Sequence, residues 1–266
     1  MLRRLSEDLV LGFGFLTRLP MPPIVVREGR QLSEAFWVFP LAGLMVGTLA
    51  GGLLWLCLWL QVGKAISAIV ALAVLAVLTG AMPEDGLADF WDGLGGGRTR
   101  ERKLEIMRDS HIGTYGVLAL VLCYLALLAL LAELSHLLMS WLPAHSIEPL
   151  DGSYLIVFVA FAAMLSRAMI VIPAVVLSIA REDGLAKHFG RPGSLMLACS
   201  AIWPIVLCVV VLQLQAFPLV AGSIAGAVII TGLAWRYLGG VTGDVFGASI
   251  MMSFVGSLLM TVVWLS

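Results

Sequence analysis

Charged residues are scarce in this chain. Only 12% of its 266 residues are Asp, Glu, Lys or Arg, whereas 61% are hydrophobic, and the mean hydropathy is +1.02. A soluble domain carries about twice that share of charge, so the composition excludes the ordinary soluble class. The net charge of -1, without any run of like charge, gives no sign of nucleic-acid binding. The composition predicts an all-α, polytopic membrane protein that forms one domain over residues 1–266.

Cysteine is also sparse, with four residues in the whole chain, Cys57, Cys123, Cys199 and Cys208. All four fall inside apolar stretches, and no two have the C-x-x-C spacing of a metal or redox motif. This pattern excludes a disulfide framework and a cysteine metal site. The cysteines are interpreted as small hydrophobic core residues.

Seven stretches are long and apolar enough to cross a membrane as helices, which takes about 20 residues each. They run over approximately residues 36–60, 64–82, 116–140, 154–180, 194–214, 217–236 and 246–265. The apolar run near the N-terminus is shorter and is followed by Thr17, Arg18 and Pro20, with no small-residue cleavage site. It predicts an uncleaved helix that is amphipathic or partly inserted.

The distribution of Lys and Arg indicates the orientation. With seven spans, fourteen of the 16 Lys and Arg residues fall on one side, Lys64 falls on the other, and Arg167 lies within a span. The positive-inside rule then places the N-terminus in the cytoplasm and the C-terminus outside. The polar motifs share the cytoplasmic side, so we expect any chemistry to take place at that face.

The most polar motif is E-D-G-L-A-D-F-W-D-G, Glu84 to Gly93, which places four carboxylates within ten residues. Asp85, Asp89 and Asp92 are spaced i, i+4 and i+7, so on a helix they project from one face. Carboxylates this close repel one another unless protons or a cation compensate, and oxygen ligands suit Mg²⁺. The alternative is an acidic helix start favoured by the helix dipole, with Pro83 in the first turn.

A second motif, M-R-D-S-H-I-G-T-Y-G, covers residues 107–116 and precedes the third span. Arg108 is a fork-shaped donor suited to phosphate, and Gly113 and Gly116 let backbone amides approach a ligand. The alternative is a helix cap formed by Ser110 or Thr114. The single histidine in this motif, His111, decides little by itself.

Arg167 lies near the middle of the fourth span. A lipid-facing arginine at that depth costs about 2.5–3.5 kcal/mol on insertion scales, so we expect Arg167 to face the bundle interior. A phosphate group or the Asp85 cluster is the first candidate for its partner. A structural pairing with another helix is the alternative.

The third motif, G-G-V-T-G-D-V-F-G-A, covers residues 239–248 and opens the last span. Glycines around Asp244 at a helix start form a backbone that can cradle phosphate, or place this carboxylate beside the metal cluster. The alternative is an N-cap at Asp244 with glycine packing between helices.

Taken together, these motifs resemble one known family, the adenosylcobinamide-GDP ribazoletransferases or cobalamin synthases. The matching pieces occur in the same order along nearly the whole chain. They are F-L-T-R-L-P (15–20), F-P-L-A-G-L-M-V-G (39–47), the motif at 84–93, L-E-I-M-R-D-S-H-I-G-T-Y-G (104–116), S-R-A (166–168) and T-G-D-V-F-G-A (242–248).

The resemblance implies a bacterial inner-membrane enzyme of late cobalamin biosynthesis that depends on Mg²⁺. It would join α-ribazole, or its 5′-phosphate, to adenosylcobinamide-GDP and release GMP. Contacts with other enzymes of that pathway, and a homo-oligomer, stay open.

Both lines of reasoning give one hypothesis for the site. Asp85, Asp89 and Asp92 hold Mg²⁺, and Asp244 adds a fourth carboxylate, while Asp89 or Asp92 accepts the proton of the attacking hydroxyl. The remaining candidates bind substrate, and they are Glu84, Arg108, Asp109, His111, Arg167 and Gly243. The rival readings are another Mg²⁺-dependent membrane transferase of the CDP-alcohol phosphotransferase or prenyltransferase type and, from a different class, a transporter.

Overall fold

The computed structural model describes residues 2–23, 31–141, 153–180 and 193–266. These residues form helices and connections, and the only strand-like pairing among them is an isolated bridge between Ile179 and Val241. The all-α prediction is therefore confirmed. In chain order the helices are α1 (Leu2–Leu16), α2 (Phe39–Trp59), α3 (Lys64–Thr79), α4 (Met82–Gly96), α5 (Arg100–Ile106), α6 (Thr114–Trp141), α7 (Ser153–Ala168), α8 (Val171–Val176), α9 (Ser194–Leu212), α10 (Ala216–Leu238) and α11 (Gly243–Leu265).

Within the described ranges, five helical stretches are long and apolar enough to cross a membrane, and a sixth is added if α3 and α4 count as one broken span. The membrane class is confirmed by these stretches. One of them, Ser194–Leu238, has 45 residues and contains both α9 and α10, separated by a 3₁₀ turn at Gln213–Gln215. At about 1.5 Å per residue this stretch is long enough for two crossings. The sequence prediction of seven spans treats it as two, over residues 194–214 and 217–236. That count stays a prediction.

Two predicted segments lie outside the described residues. One is the connection around Asp183, which was predicted to be cytoplasmic, and the other is the connection between the third and fourth predicted spans, which was predicted to be external.

The bundle core depends on small residues that let helices touch backbone to backbone. On α2, Gly47 faces α7 so closely that an added Cβ would lie 2.7 Å from Ala163 Cβ and 2.8 Å from Ala160 Cα. On α10, Gly226 faces α11 equally closely, since an added Cβ there would lie 2.6 Å from the backbone nitrogen of Ser253. Close approach at small residues is the usual source of packing energy between membrane helices. These two helix pairs form the frame that carries the polar motifs.

The N-terminal helix α1 packs on a 3₁₀ helix, Leu32–Val38, that leads into α2. Two acidic residues of α1, Glu7 and Asp8, are buried in this contact, and Trp37 Nε1 donates to Asp8 Oδ2 at 3.1 Å. The helix is amphipathic, as predicted. Whether it enters the bilayer stays a prediction.

The chain turns sharply between α3 and α4, whose axes differ by 90°. Gly80 and Ala81 make this corner with φ values of +65° and +55°. These lie in the left-handed region, which residues other than glycine rarely adopt. Arg18 packs over the corner: its backbone nitrogen donates to Leu78 O at 2.7 Å, and its Cγ would lie 2.7 Å from a Cβ on Gly80. The corner sets the direction of α4, the helix that contains the acidic motif.

Candidate active site

The acidic motif forms helix α4, as its spacing predicts. Its four carboxylates differ in burial: Asp85 is exposed, Glu84 and Asp89 are half-buried, and Asp92 is only 6% exposed. Packing against α6 and α11 causes this difference, since α4 lies between these two helices. The motif therefore supplies two kinds of acidic side chain, outward-facing and inward-facing.

Asp92 contacts the start of α6. Its Oδ2 accepts a hydrogen bond from the Gly113 amide at 2.7 Å, and its Oδ1 accepts one from the Gly116 amide at 2.8 Å. The sequence predicted that Asp92 binds a metal ion together with Asp85 and Asp89. Within the described ranges, no three His, Cys, Asp or Glu side chains are placed together to hold a metal ion. Both oxygens of Asp92 accept hydrogen bonds from backbone amides, and its role as a metal ligand stays a prediction.

Glu84 and Arg167 lie inside the bundle. Glu84 Oε1 accepts a hydrogen bond from Tyr124 at 2.8 Å, whereas Oε2 is enclosed and has no hydrogen-bond partner among the described residues. Arg167 is 6% exposed and donates through Nη1 to Ser166 Oγ at 3.0 Å and Ala163 O at 3.3 Å.

Glu84 and Arg167 line one cavity of about 20 Å³. This volume suits about one water molecule and is too small for a phosphate group. Arg167 therefore faces the bundle interior, as expected, where it shares a cavity with Glu84 of α4. The partner of its charge stays a prediction.

Asp244 lies in the first turn of α11, and the N-cap of that helix is Thr242 rather than Asp244. Thr242 Oγ1 donates to Asp244 Oδ2 at 3.1 Å and accepts from the Val245 amide at 3.4 Å. The starts of α4 and α11 touch at two glycines: a Cβ on Gly86 would lie 3.0 Å from Gly247 Cα and 3.2 Å from Asp244 Cα. The structure therefore brings Asp244, and Gly243 before it, beside the acidic helix.

The segment between α5 and α6 is exposed at Arg108, Asp109 and His111. Asp109 Oδ1 pairs with His111 Nδ1 at 2.7 Å and accepts from the His111 amide at 3.0 Å. The side-chain hydrogen bond, followed by the backbone one, lowers the pKa of the Asp109 carboxyl below its ordinary value of 3.8. These three predicted binding residues share one polar loop that is open to solvent.

Two basic residues that the sequence reasoning used only to orient the chain have structural contacts. Lys103 is 8% exposed and donates through Nζ to Leu94 O at 2.7 Å and to Gly97 O, at the end of α4. Arg100 donates through Nε to Leu238 O at 2.6 Å and through Nη2 to Ala180 O at 3.1 Å. A cation near a helix C-terminus satisfies its last carbonyls, and this rule is the signal that could have found them.

These contacts define the class of protein: an all-α, multi-pass membrane protein in which an acidic helix meets the starts of two apolar helices, α6 and α11. The family model for cobalamin-5-phosphate synthase matches residues 8–262. The chain belongs to the cobalamin-5-phosphate synthase family.

Curated relatives agree with the family match. An adenosylcobinamide-GDP ribazoletransferase of Bradyrhizobium diazoefficiens is 39% identical over 252 residues, covering 93% of this chain and 90% of the relative. One from Rhizobium etli is 37% identical over 259 residues, covering 92% of each chain, and one from Shewanella baltica is 36% identical over 247 residues, covering 91% and 88%. No solved structure matches the chain.

Proposed function

We propose that the protein is an adenosylcobinamide-GDP ribazoletransferase of late cobalamin biosynthesis. It joins α-ribazole, or its 5′-phosphate, to adenosylcobinamide-GDP and releases GMP. The observation that carries this proposal is the match to relatives of that name over about nine-tenths of both chains. All six motifs of the resemblance lie within the matched residues 8–262, which supports transfer of the activity to this chain.

In the proposed reaction, a ribazole hydroxyl attacks the phosphorus that stays with cobinamide. The new P–O bond forms as the bond to the GMP oxygen breaks, so GMP leaves with the bonding electron pair and the hydroxyl proton passes to a base. Little covalent chemistry is required of the protein. Its contribution is to hold the diphosphate and the hydroxyl in line.

Asp85 and Asp89 fit a Mg²⁺ ion. They are one turn apart on the face of α4 that keeps its carboxylates at least partly exposed, and Mg²⁺ commonly takes one or two carboxylates together with substrate phosphates. When bound, the ion would anchor the diphosphate and neutralise the charge that develops on GMP. Asp244 is the further carboxylate beside this helix.

The other site residues have roles that follow from their exposure and chemistry. Arg108 donates to a phosphate oxygen, and Asp109 and His111 hydrogen-bond to sugar hydroxyls from the same loop. Gly243, at the start of α11, lets the backbone approach a phosphate. Asp89 or Asp244 accepts the hydroxyl proton, since each is half-buried and lies at the acidic helix.

The site faces the cytoplasm of a bacterial inner membrane in this proposal. The supporting observation is the distribution of Lys and Arg, which the positive-inside rule assigns to the cytoplasmic side together with the three polar motifs. Both substrates would then be drawn from the cytoplasm. Association with a second copy or with other enzymes of the pathway is a further expectation.

The decisive test is GMP release from adenosylcobinamide-GDP by the purified protein in detergent and in lipid. We expect release only when Mg²⁺ and α-ribazole are both present, and comparing α-ribazole with its 5′-phosphate identifies the preferred acceptor. No release by folded protein in either medium would overturn the proposal. CDP-alcohols and prenyl diphosphates, supplied as donors in the same assay, would then test the rival transferases.

A further inference from the structure

Asp92 is the most buried of the three aspartates of helix α4. It is 6% exposed, and each oxygen accepts one short hydrogen bond, from Gly113 at 2.7 Å and from Gly116 at 2.8 Å. Hydrogen bonds to a charged acceptor are roughly twice as strong as neutral ones. Asp92 therefore bridges two amides at the start of a 28-residue helix, α6.

The two glycines are shaped to this carboxylate. A Cβ on Gly113 would overlap Asp92 Oδ1, and a Cβ on Gly116 would overlap Oδ2 and lie 3.0 Å from Ala88 O. Only a residue without a side chain permits both amides to reach Asp92 at once. The aspartate and the two glycines thus form one unit, although 21 and 24 residues separate them.

The residue after Asp92 holds the other end of the same segment. Met107 is buried, and its Cγ would lie 2.5 Å from a Cβ on Gly93. Asp92 and Gly93, which are adjacent on α4, therefore contact both ends of the segment from residue 107 to residue 116. Between these two attachments lie Arg108, Asp109 and His111.

We propose that Asp92 is a positioning residue, which fixes this segment against α4 and neither binds the metal ion nor accepts the proton. The proposal rests on the proposed function, because it assigns the segment a role in binding the same substrates. Asp92 acts on the reaction through Gly113 and Gly116. Loss of the contact would shift Arg108 and His111 relative to α4, while Asp85 and Asp89 would keep their metal affinity.

The first experiment compares Asp92→Asn with Asp89→Asn. Asparagine retains one acceptor oxygen, so Asp92→Asn loses one charge-assisted hydrogen bond, which should speed hydrogen exchange of the Gly113–Gly116 amides by about 10- to 100-fold. Exchange there should stay unchanged in Asp89→Asn. Binding of Mn²⁺, measured by electron paramagnetic resonance without substrates, should show the reverse: it is retained in Asp92→Asn and weakened in Asp89→Asn.

A second variant tests the contact from the other side and covers the case in which Asp92→Asn fails to fold. Gly116→Ala should speed the same amide exchange with Asp92 intact, and its effect should not add to that of Asp92→Asn. Gly52→Ala is the matched control, because a Cβ there meets nothing within 4 Å. The control should leave exchange and Mn²⁺ binding unchanged.

The kinetic readout separates positioning from general loss of structure. We expect Asp92→Asn to raise KM for adenosylcobinamide-GDP about tenfold or more, with the Mg²⁺ concentration at half-maximal rate unchanged. Loss of Mn²⁺ binding in Asp92→Asn, with the Gly113–Gly116 amides still protected, would overturn the proposal. Absence of GMP release by the wild-type protein would instead refute the proposed function, and the exchange and Mn²⁺ results would stand without it.

Discussion

Glu84 and Arg167 face the same cavity, one from the acidic helix α4 and the other from the apolar helix α7. The cavity is about 20 Å³, so a single water molecule would satisfy the enclosed Glu84 Oε2 and face the guanidinium. The rest of the lining is largely apolar, so these two opposite charges share one enclosed space. The pair therefore connects the acidic helix to the frame of the bundle.

Removing one member of this pair should be more harmful than removing both. Arg167→Met or Glu84→Gln leaves a buried partner uncompensated, and each should lower the free energy of unfolding by about 3–5 kcal/mol. The double variant should lose less than the sum of the two. Thermal unfolding in detergent measures this, with exposed Arg98→Met as the control. Additive losses would show that the two side chains do not interact.

Replacing the outward-facing aspartates should abolish turnover without unfolding the protein. Asp85 is exposed and Asp89 half-buried, so Asp85→Asn and Asp89→Asn should each reduce GMP release by about 100-fold or more with a nearly unchanged melting temperature. The control is Glu101→Gln, an exposed acid in the first turn of α5. If a folded variant releases GMP at the wild-type rate, the aspartate that it lacks does not belong to the active site.

Titration of Asp109 should depend on His111. Because hydrogen bonds from His111 lower the pKa of Asp109 below 3.8, the ionised carboxylate stabilises this turn above the ordinary pKa. That stabilisation is lost as the pH falls through the lowered value. His111→Ala removes the largest cause, so the pKa of Asp109 should rise toward 3.8 while the backbone contact keeps part of the shift. Carbon-13 NMR of labelled aspartate, with the Asp109 signal assigned from Asp109→Asn, gives the pKa of Asp109 in the wild-type protein and in His111→Ala. Equal values in the two proteins would contradict this account.

Because α2 packs closely on α7, replacement by alanine should destabilise the protein at Gly47 but not at Gly52. Gly47→Ala places a methyl group 2.7 Å from Ala163 Cβ and should destabilise the fold by about 1–3 kcal/mol. Gly52→Ala on the same helix meets nothing within 4 Å and should be neutral. Thermal unfolding of the two variants side by side measures the difference. A destabilised Gly52→Ala variant would point to helix propensity or lipid contacts instead.

Local pattern was sufficient for the helices and for the meeting of the motifs. The spacing of Asp85, Asp89 and Asp92, with Pro83 in the first turn, predicted α4, and the glycine-rich stretch before Asp244 predicted the start of α11 beside it. Periodicity does not say which neighbour each side chain meets. The contact of Asp92 with Gly113 and Gly116 was not predicted, because these glycines carry no side chain that a sequence pattern could pair with it.

Long-range burial was the second limit. Arg167 was correctly expected to face the bundle interior, but the small size of its cavity depends on α3, α4, α6 and α11 together. The corner before α4 also had little signal, because Ala81 adopts a left-handed conformation that its residue type does not favour. Such strain is imposed by the surrounding fold.

The right angle between α3 and α4 has an energetic consequence for the charged residues of α4. The apolar helix α3 packs beside α2 and α6, each long enough to cross a membrane. If α3 crosses in the same direction, a helix perpendicular to it runs along the bilayer surface instead of through it. In that arrangement the carboxylates of Asp85 and Asp89 would lie at the depth of the lipid headgroups. They would avoid the cost of about 2.5–3.5 kcal/mol that each charge incurs at the hydrocarbon centre. A two-residue corner thus turns the acidic helix of a mostly hydrocarbon protein away from the direction of the apolar helix that precedes it.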